Sequence, residues 1–185
     1  MRVIGGKVRG RTLKSVHGGA VRPTSDIVRE AVFSMLESVA VDWSRVLDLY
    51  AGTGAMGIEA LSRGAERADF VERNPRLCRL IKENLQVTGF TPQATVYCMS
   101  VNKIFPVLKD VYGIVLVDPP YEDPSISAMI SKLASSPLVG EESTLVVEHS
   151  KRVALENTYG DFDRTKDLRH GDTCVSVYQY AESGS

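Results

Sequence analysis

Five short, mainly apolar runs, at 46–49, 68–71, 94–98, 113–118 and 144–147, recur along the chain with helical stretches between them. That alternation admits few folds. A parallel strand pair needs a long crossover, which a helix supplies, so strands alternating with helices build a parallel sheet covered on both faces. Ile27, Val28, Ala31, Val32, Met35 and Leu36 mark one face of a helix that ends near Glu37 and follows the cap cluster Arg22-Pro23-Thr24-Ser25-Asp26. Asn74-Pro75 caps a helix that turns Leu77, Cys78, Ile81 and Leu85 inward. Asp123-Pro124 caps another, with Ile126, Met129, Ile130 and Leu133 on its apolar face. A shorter helix is expected around Ile104, Phe105 and Leu108. The tail breaks the pattern: 163–168 and 174–180 read as strands about a Gly171-Asp172 turn, an antiparallel hairpin.

The chain has 185 residues, of which 43% are hydrophobic and 24% charged, which fits one globular domain and argues against disorder. No apolar run approaches the ~20 residues that span a bilayer, and the first residues lack an apolar signal core. A cytoplasmic protein is expected. Cys78, Cys98 and Cys174 form no CxxC pair and no even framework, so each is expected to be a small core residue. No His/Asp/Glu cluster has metal-ligand spacing, and no metal is expected.

Net charge is −1, but it is unevenly spread. Residues 1–29 carry +6 and the remainder −7. Arg2-Val3-Ile4 and Arg11-Thr12-Leu13 resemble short strands, with Gly5-Gly6 and Gly10 at the bends. An ordered basic hairpin would present its charges as a fixed array, which suits a phosphate backbone.

Gly52-Thr53-Gly54-Ala55-Met56-Gly57 matches GxGxxG between a strand and a helix, and Glu72 follows Gly52 by 20 residues. A nicotinamide or flavin site is the first reading of that spacing. Asp48, in the strand just before the loop, opposes it. A pyrophosphate on the next helix N-terminus would meet a neighbouring carboxylate. S-adenosylmethionine carries no phosphate but does carry an ammonium and a sulfonium, which a carboxylate favours. Asp48 beside the methionine moiety and Glu72 on the ribose hydroxyls suit it better, with Ala51, Gly52 and Gly54 letting the backbone approach closely.

Asp118-Pro119-Pro120-Tyr121 follows the fourth strand directly. In open α/β sheets ligands bind beyond the carboxyl ends of strands. The lone pair of an exocyclic base amine is delocalised into the ring. A site that methylates it must hold the amine and accept hydrogen bonds from its N–H groups. Asp118 and the Pro119 carbonyl are such acceptors. Tyr121 can stack on a base swung out of its helix.

Asp118-Pro119-Pro120-Tyr121 with the loop from Asp48 to Gly54 resembles the class I, S-adenosylmethionine-dependent amino-methyltransferases. Arg2-Val3-Ile4-Gly5-Gly6-Lys7-Val8-Arg9-Gly10-Arg11, then Arg22-Pro23-Thr24-Ser25-Asp26-Ile27-Val28-Arg29-Glu30, and the stretch from Asp48 to Ala65 resemble one bacterial family within them. That family is the 16S ribosomal RNA guanine-N2 methyltransferases.

The resemblance implies a Rossmann-like α/β fold with a seven-stranded, mostly parallel sheet ending in an antiparallel hairpin. With the composition break near residue 22, it sets the expectation of a basic N-terminal β-hairpin arm over residues 1–22 and a methyltransferase domain over 23–185. It implies S-adenosylmethionine as cofactor and small-subunit ribosomal RNA as partner, in an assembled or partly assembled subunit. Asp118, Pro119 and Tyr121 fall at catalytic positions, and Asp48, Ala51, Gly52, Gly54 and Glu72 at cofactor positions. Ser100 stands where many relatives place an Asp or Asn against the adenine amine. Lys7, Arg9, Arg11, Arg22 and Arg29 lie in the stretches that resemble the RNA-facing arm.

Two other classes fit parts of the sequence. One is a DNA adenine-N6 or cytosine-N4 amino-methyltransferase, and the other a non-enzymatic ribosome assembly factor. Among the remaining polar and aromatic residues, His149 reads as a surface or half-buried histidine. His17 and His170 sit in polar turns, Trp43 packs at the rim, and Tyr50 braces the loop or fills space.

Overall fold

The computed structural model describes residues 1–15, 25–120 and 123–181. Five parallel strands form most of one sheet: β1 (Arg45–Leu49), β2 (Arg67–Glu72), β3 (Ala94–Cys98), β4 (Ile114–Val117) and β5 (Thr144–Ser150). β8 (Thr173–Tyr180) pairs antiparallel with β5, and β7 (Phe162–His170) with β8. The strand order is β3-β2-β1-β4-β5-β8-β7-β6. Among the described residues the sheet therefore has eight strands where seven were expected. The extra one, β6 (Thr158–Tyr159), is two residues long and folds back on β7 through Gly160, at φ 56°. Two residues are too few to give a period-2 signal.

Alternate residues of each strand feed opposite faces. Val46, Phe70, Ile114, Leu116 and Val146 pack under the first three helices: α1 (Asp26–Glu37), α2 (Ala55–Ser62) and α3 (Pro75–Thr88). Leu47, Leu49, Val115, Val117 and Val147 pack under α4 (Val101–Ile104) and α5 (Ile126–Ala134). Both faces are thus covered, as the alternation predicts.

α1 begins at Ser25, whose hydroxyl accepts the Val28 N–H at 3.2 Å. Arg22, Pro23 and Thr24 lie outside the described residues. The buried face of α1 is Val28, Arg29, Val32, Phe33, Met35 and Leu36, while Ile27 is 62% exposed and Ala31 faces out. The expected face is corrected by about one residue of rotation. A buried arginine drives the shift: Arg29 is turned inward by acceptors that apolar periodicity cannot register. α3 starts at Asn74-Pro75 as expected, and Gly89 closes it at φ 78°. α5 is capped at Ser125 rather than Asp123, whose Oδ1 instead accepts the Ser125 N–H and hydroxyl.

The N-terminal segment is ordered, but its two expected strands reduce to one bridge, Arg2 with Thr12. Val3 and Leu13 are buried with the α1–α3 core. Glu59 of α2 accepts the N–H of Ile4 at 2.9 Å and of Gly5 at 2.7 Å. The Ser62 hydroxyl donates to the Gly5 carbonyl, and the Ser62 carbonyl accepts the Lys7 N–H. These bonds take the backbone groups that a longer hairpin ladder would have used.

Candidate active site

The strand order reverses between β1 and β4, since β1 leads to β2 on one side and β4 to β5 on the other. Ligands of open α/β sheets bind at such a switch point, beyond the carboxyl ends of the strands. The sequence places chemistry at this edge. β1 runs into Tyr50-Ala51-Gly52-Thr53-Gly54, β2 ends on Glu72, β3 ends on Cys98, and β4 runs into Asp118-Pro119.

The loop is braced from two sides. Asp48 Oδ2 accepts the Gly57 N–H at 2.9 Å. Glu72 Oε2 accepts the Gly52 N–H at 3.0 Å, and its Oε1 the Asn74 N–H at 2.8 Å. Tyr50, Gly52 and Gly54 all have positive φ. A Cβ at Gly54 would press on Ile81 at 3.1 Å, and one at Gly57 would meet Phe70 at 2.3 Å. The glycines are therefore required for the close packing of loop, helix and sheet.

Asp48 is 2% exposed, so it lies beneath the loop rather than in the open. Burial is the main cause that pushes its carboxyl up to about 8; the Glu72 charge adds to the rise and the Gly57 N–H opposes it. Such a carboxylate regains its charge when a cation is set beside it. The donor set thus fits a cationic, hydroxyl-bearing ligand: a buried carboxylate under the loop, a second at the end of β2, and backbone brought close by glycine. Ser100 caps α4 with its backbone, and its half-buried hydroxyl makes no cap bond, unlike Ser25 and Asn74.

Asp118 and Pro119 are half-buried, and the Asp118 N–H points to the Leu49 carbonyl at 3.4 Å. Asp118 therefore follows directly on the neighbouring strand β4, level with the end of β1 and the start of the glycine loop. Tyr121 lies outside the described residues. The structure brings Asp48, Ala51, Gly52, Gly54, Glu72, Ser100, Asp118 and Pro119 to one edge.

The basic residues divide. Lys7, Arg9 and Arg11 are exposed and line one depression of about 610 Å³. Arg22 lies outside the described residues. Arg29 is fully buried: its Nη2 donates to the Arg2 carbonyl at 2.6 Å and to Asp26 at 2.9 Å, with Glu59 3.7 Å from its Nε. A buried guanidinium cannot meet a phosphate, so the expected RNA contact at Arg29 is corrected to a bolt between α1, α2 and the N-terminal segment. Sequence reasoning also missed Glu59 and Ser62. The available signal was a carboxylate at the centre of an otherwise apolar helix. Among the described residues no group of three or more His, Cys, Asp or Glu could hold a metal, and no helix is long and apolar enough to cross a membrane.

This sheet and its ligand edge are those of a Rossmann-like methyltransferase. The chain belongs to the family described as Conserved hypothetical protein 95, which matches residues 1–179. It is 37% identical to Bacillus subtilis YlbH, over 97% of this chain and 98% of that protein. It is 30% identical to the Escherichia coli K12 protein named Ribosomal RNA small subunit methyltransferase D, over 100% of this chain and 92% of the relative. A solved structure of a Thermus thermophilus hypothetical protein superimposes with a TM-score of 0.82 at 30% identity, covering 97% of this chain and 99% of that one. The family expected from the motifs is the family found.

Proposed function

We propose that this protein transfers the methyl group of S-adenosylmethionine to the exocyclic N2 of a guanine in small-subunit ribosomal RNA, in the bacterial cytoplasm. One observation carries the reading: the Asp118-Pro119 segment that follows β4 lies beside a glycine loop backed by two carboxylates, at the switch point of the sheet. The Escherichia coli relative's name supports the RNA class.

S-adenosylmethionine supplies an electrophilic methyl on a sulfonium. Asp48 contributes negative charge under the loop, Glu72 accepts from ribose hydroxyls, and the Ser100 hydroxyl and nearby backbone meet the adenine edge. Asp118 and the Pro119 carbonyl accept the two amine N–H groups and aim the nitrogen at the methyl. Tyr121 stacks on the extruded base, an interaction worth roughly 1–3 kcal/mol. Asp118 takes the proton the amine sheds. Positioning in a closed pocket supplies most of the acceleration. Lys7, Arg9, Arg11 and Arg22 bind phosphates and register the RNA, and the substrate is an assembled or partly assembled ribosomal subunit.

The test is methyl transfer from labelled cofactor to small subunits lacking the modification, with naked RNA and duplex DNA in parallel, followed by nucleoside analysis. N2-methylguanosine from the subunit is expected. Methyladenine or methylcytosine in DNA would overturn the substrate. Asp118→Ala should abolish turnover and leave cofactor affinity nearly unchanged; loss of cofactor binding instead would remove Asp118 from the amine.

A further inference from the structure

Cys78 and Cys98 come from different elements and meet at the ligand edge. Cys78 is on the first turns of α3, buried; Cys98 is the last residue of β3, the edge strand of the sheet, and exposed. Their sulfurs are 2.6 Å apart, a short step from the roughly 2.03–2.05 Å of a disulfide. Cys98 is paired in register with Glu72, and the Cys78 thiol donates to the Glu72 carbonyl at 3.1 Å. The expectation of three separate core cysteines is therefore corrected: one is buried, one half-buried, one exposed, and two touch.

We propose that Cys78 and Cys98 are a dithiol modification site, oxidised by peroxide to a disulfide that loosens the grip of Glu72 on its ligand. The two thiols are unequal. Burial, the main cause, and the neighbouring Cys98 push the Cys78 thiol up to about 12, so Cys98, open to solvent, is the sulfur that reacts first. The Cys98 thiolate attacks one oxygen of hydrogen peroxide, the O–O bond breaks, and the departing hydroxide takes up a proton as water. Cys98 is now a sulfenic acid. The Cys78 sulfur attacks it, the S–S bond forms, and a second water leaves. Two thiols lose two electrons and two hydrogens, and one peroxide becomes two waters. In reducing compartments such pairs are transient and sensing rather than structural.

The consequence for Glu72 follows from what Cys78 holds. Oxidation removes the S–H donor to the Glu72 carbonyl and ties α3 to the end of β3. The same glutamate positions Gly52 and Asn74 through its carboxylate, at 3.0 Å and 2.8 Å. This part rests on the reading of Glu72 as a cofactor ligand.

The experiment treats reduced full-length protein with hydrogen peroxide, maps cross-linked peptides by mass spectrometry, and measures S-adenosylmethionine affinity before and after dithiothreitol. A Cys78–Cys98 peptide, and affinity roughly two- to tenfold weaker until reduction, are expected. Cys98→Ser, at an exposed site, should keep the reduced affinity and lose its peroxide sensitivity; Cys78→Ser should do the same if it folds. No Cys78–Cys98 peptide, or one joined through Cys174, overturns the dithiol whatever the cofactor does. A disulfide that forms with affinity unchanged overturns its hold on Glu72. Reduced protein that binds no cofactor yet forms the disulfide refutes the cofactor reading of Glu72 and leaves the modification site established.

Discussion

Asp48 Oδ2 accepts the Gly57 N–H at 2.9 Å, so a carboxylate that water does not reach holds the first turn of α2. Its carboxyl is pushed up to about 8, above the unfolded value of about 3.9. Protonation therefore favours the folded state. The contribution is fully present below about pH 4 and is lost as pH rises through about 8. Asp48→Asn keeps an acceptor for Gly57 and removes the buried charge. The variant should match the parent's Tm near pH 4 and exceed it by several degrees at pH 9. The same substitution should weaken S-adenosylmethionine, and parent affinity should rise from pH 6 to 8, because a cationic ligand favours the ionised carboxylate. Melting curves across pH and calorimetric titration check both. Equal Tm offsets at pH 4 and 9 would show that Asp48 is not the titrating group.

Arg29 predicts a loss of stability rather than of RNA affinity. Glu59, 1% exposed, has the Arg29 and Arg63 guanidiniums as its cationic partners in the interior. Removing one partner of a buried ion pair costs roughly 3–5 kcal/mol when it strands the other charge, and Arg63 stays on Glu59 at 2.8 Å, so the loss falls toward the lower end of that range. Arg29→Ala should lower the denaturation midpoint accordingly. RNA affinity, measured where the variant is still folded, should be unchanged. A stable variant with weakened RNA binding would return Arg29 to the RNA face.

The sheet was legible because its strands are short, apolar and regularly punctuated, and period-2 and period-3.6 patterns report burial. The glycine loop was legible for a different reason: GxGxxG encodes local backbone geometry, and the structure does place Gly52 and Gly54 at positive φ between β1 and α2. Three things were not legible. Arg29 looks like any basic residue of a charged segment, and only the acceptors at Arg2, Asp26 and Glu59 turn it inward. Cys78 and Cys98 are 20 residues apart in sequence and meet through a helix crossover. Asp48 was expected beside the ligand, and burial beneath the loop depends on how tightly α2 packs.

Arg9 and Arg11 should behave oppositely to Arg29. Both are exposed, and with Lys7 they line the same depression. Arg9→Ala and Arg11→Ala should leave Tm within about 1 °C, since surface substitutions seldom move stability. Each should weaken RNA binding and flatten the slope of log affinity against log salt by roughly 0.7–0.9 for every phosphate that is no longer neutralised. A salt titration of binding by each variant reads this directly. An unchanged slope in both would move the RNA footprint off this face.

Gly6 decides whether those arginines are presented at all. Its φ is 73°, and a Cβ there would lie 1.9 Å from the Ser62 carbonyl oxygen, which accepts the Lys7 N–H at 2.7 Å. Neither backbone can yield without breaking that bond. Gly10 has a similar φ of 83° but nothing within 4 Å of a Cβ. Gly10→Ala thus carries only the left-handed strain, about 1 kcal/mol. Gly6→Ala carries the strain and the collision, and should lift the segment off α2. Limited proteolysis should then cut within residues 1–14 far faster in Gly6→Ala than in Gly10→Ala. RNA affinity should fall in the first and hold in the second, while cofactor affinity is equal in both. If Gly6→Ala binds RNA as well as its parent, a fixed array is unnecessary and the charges act as a tether.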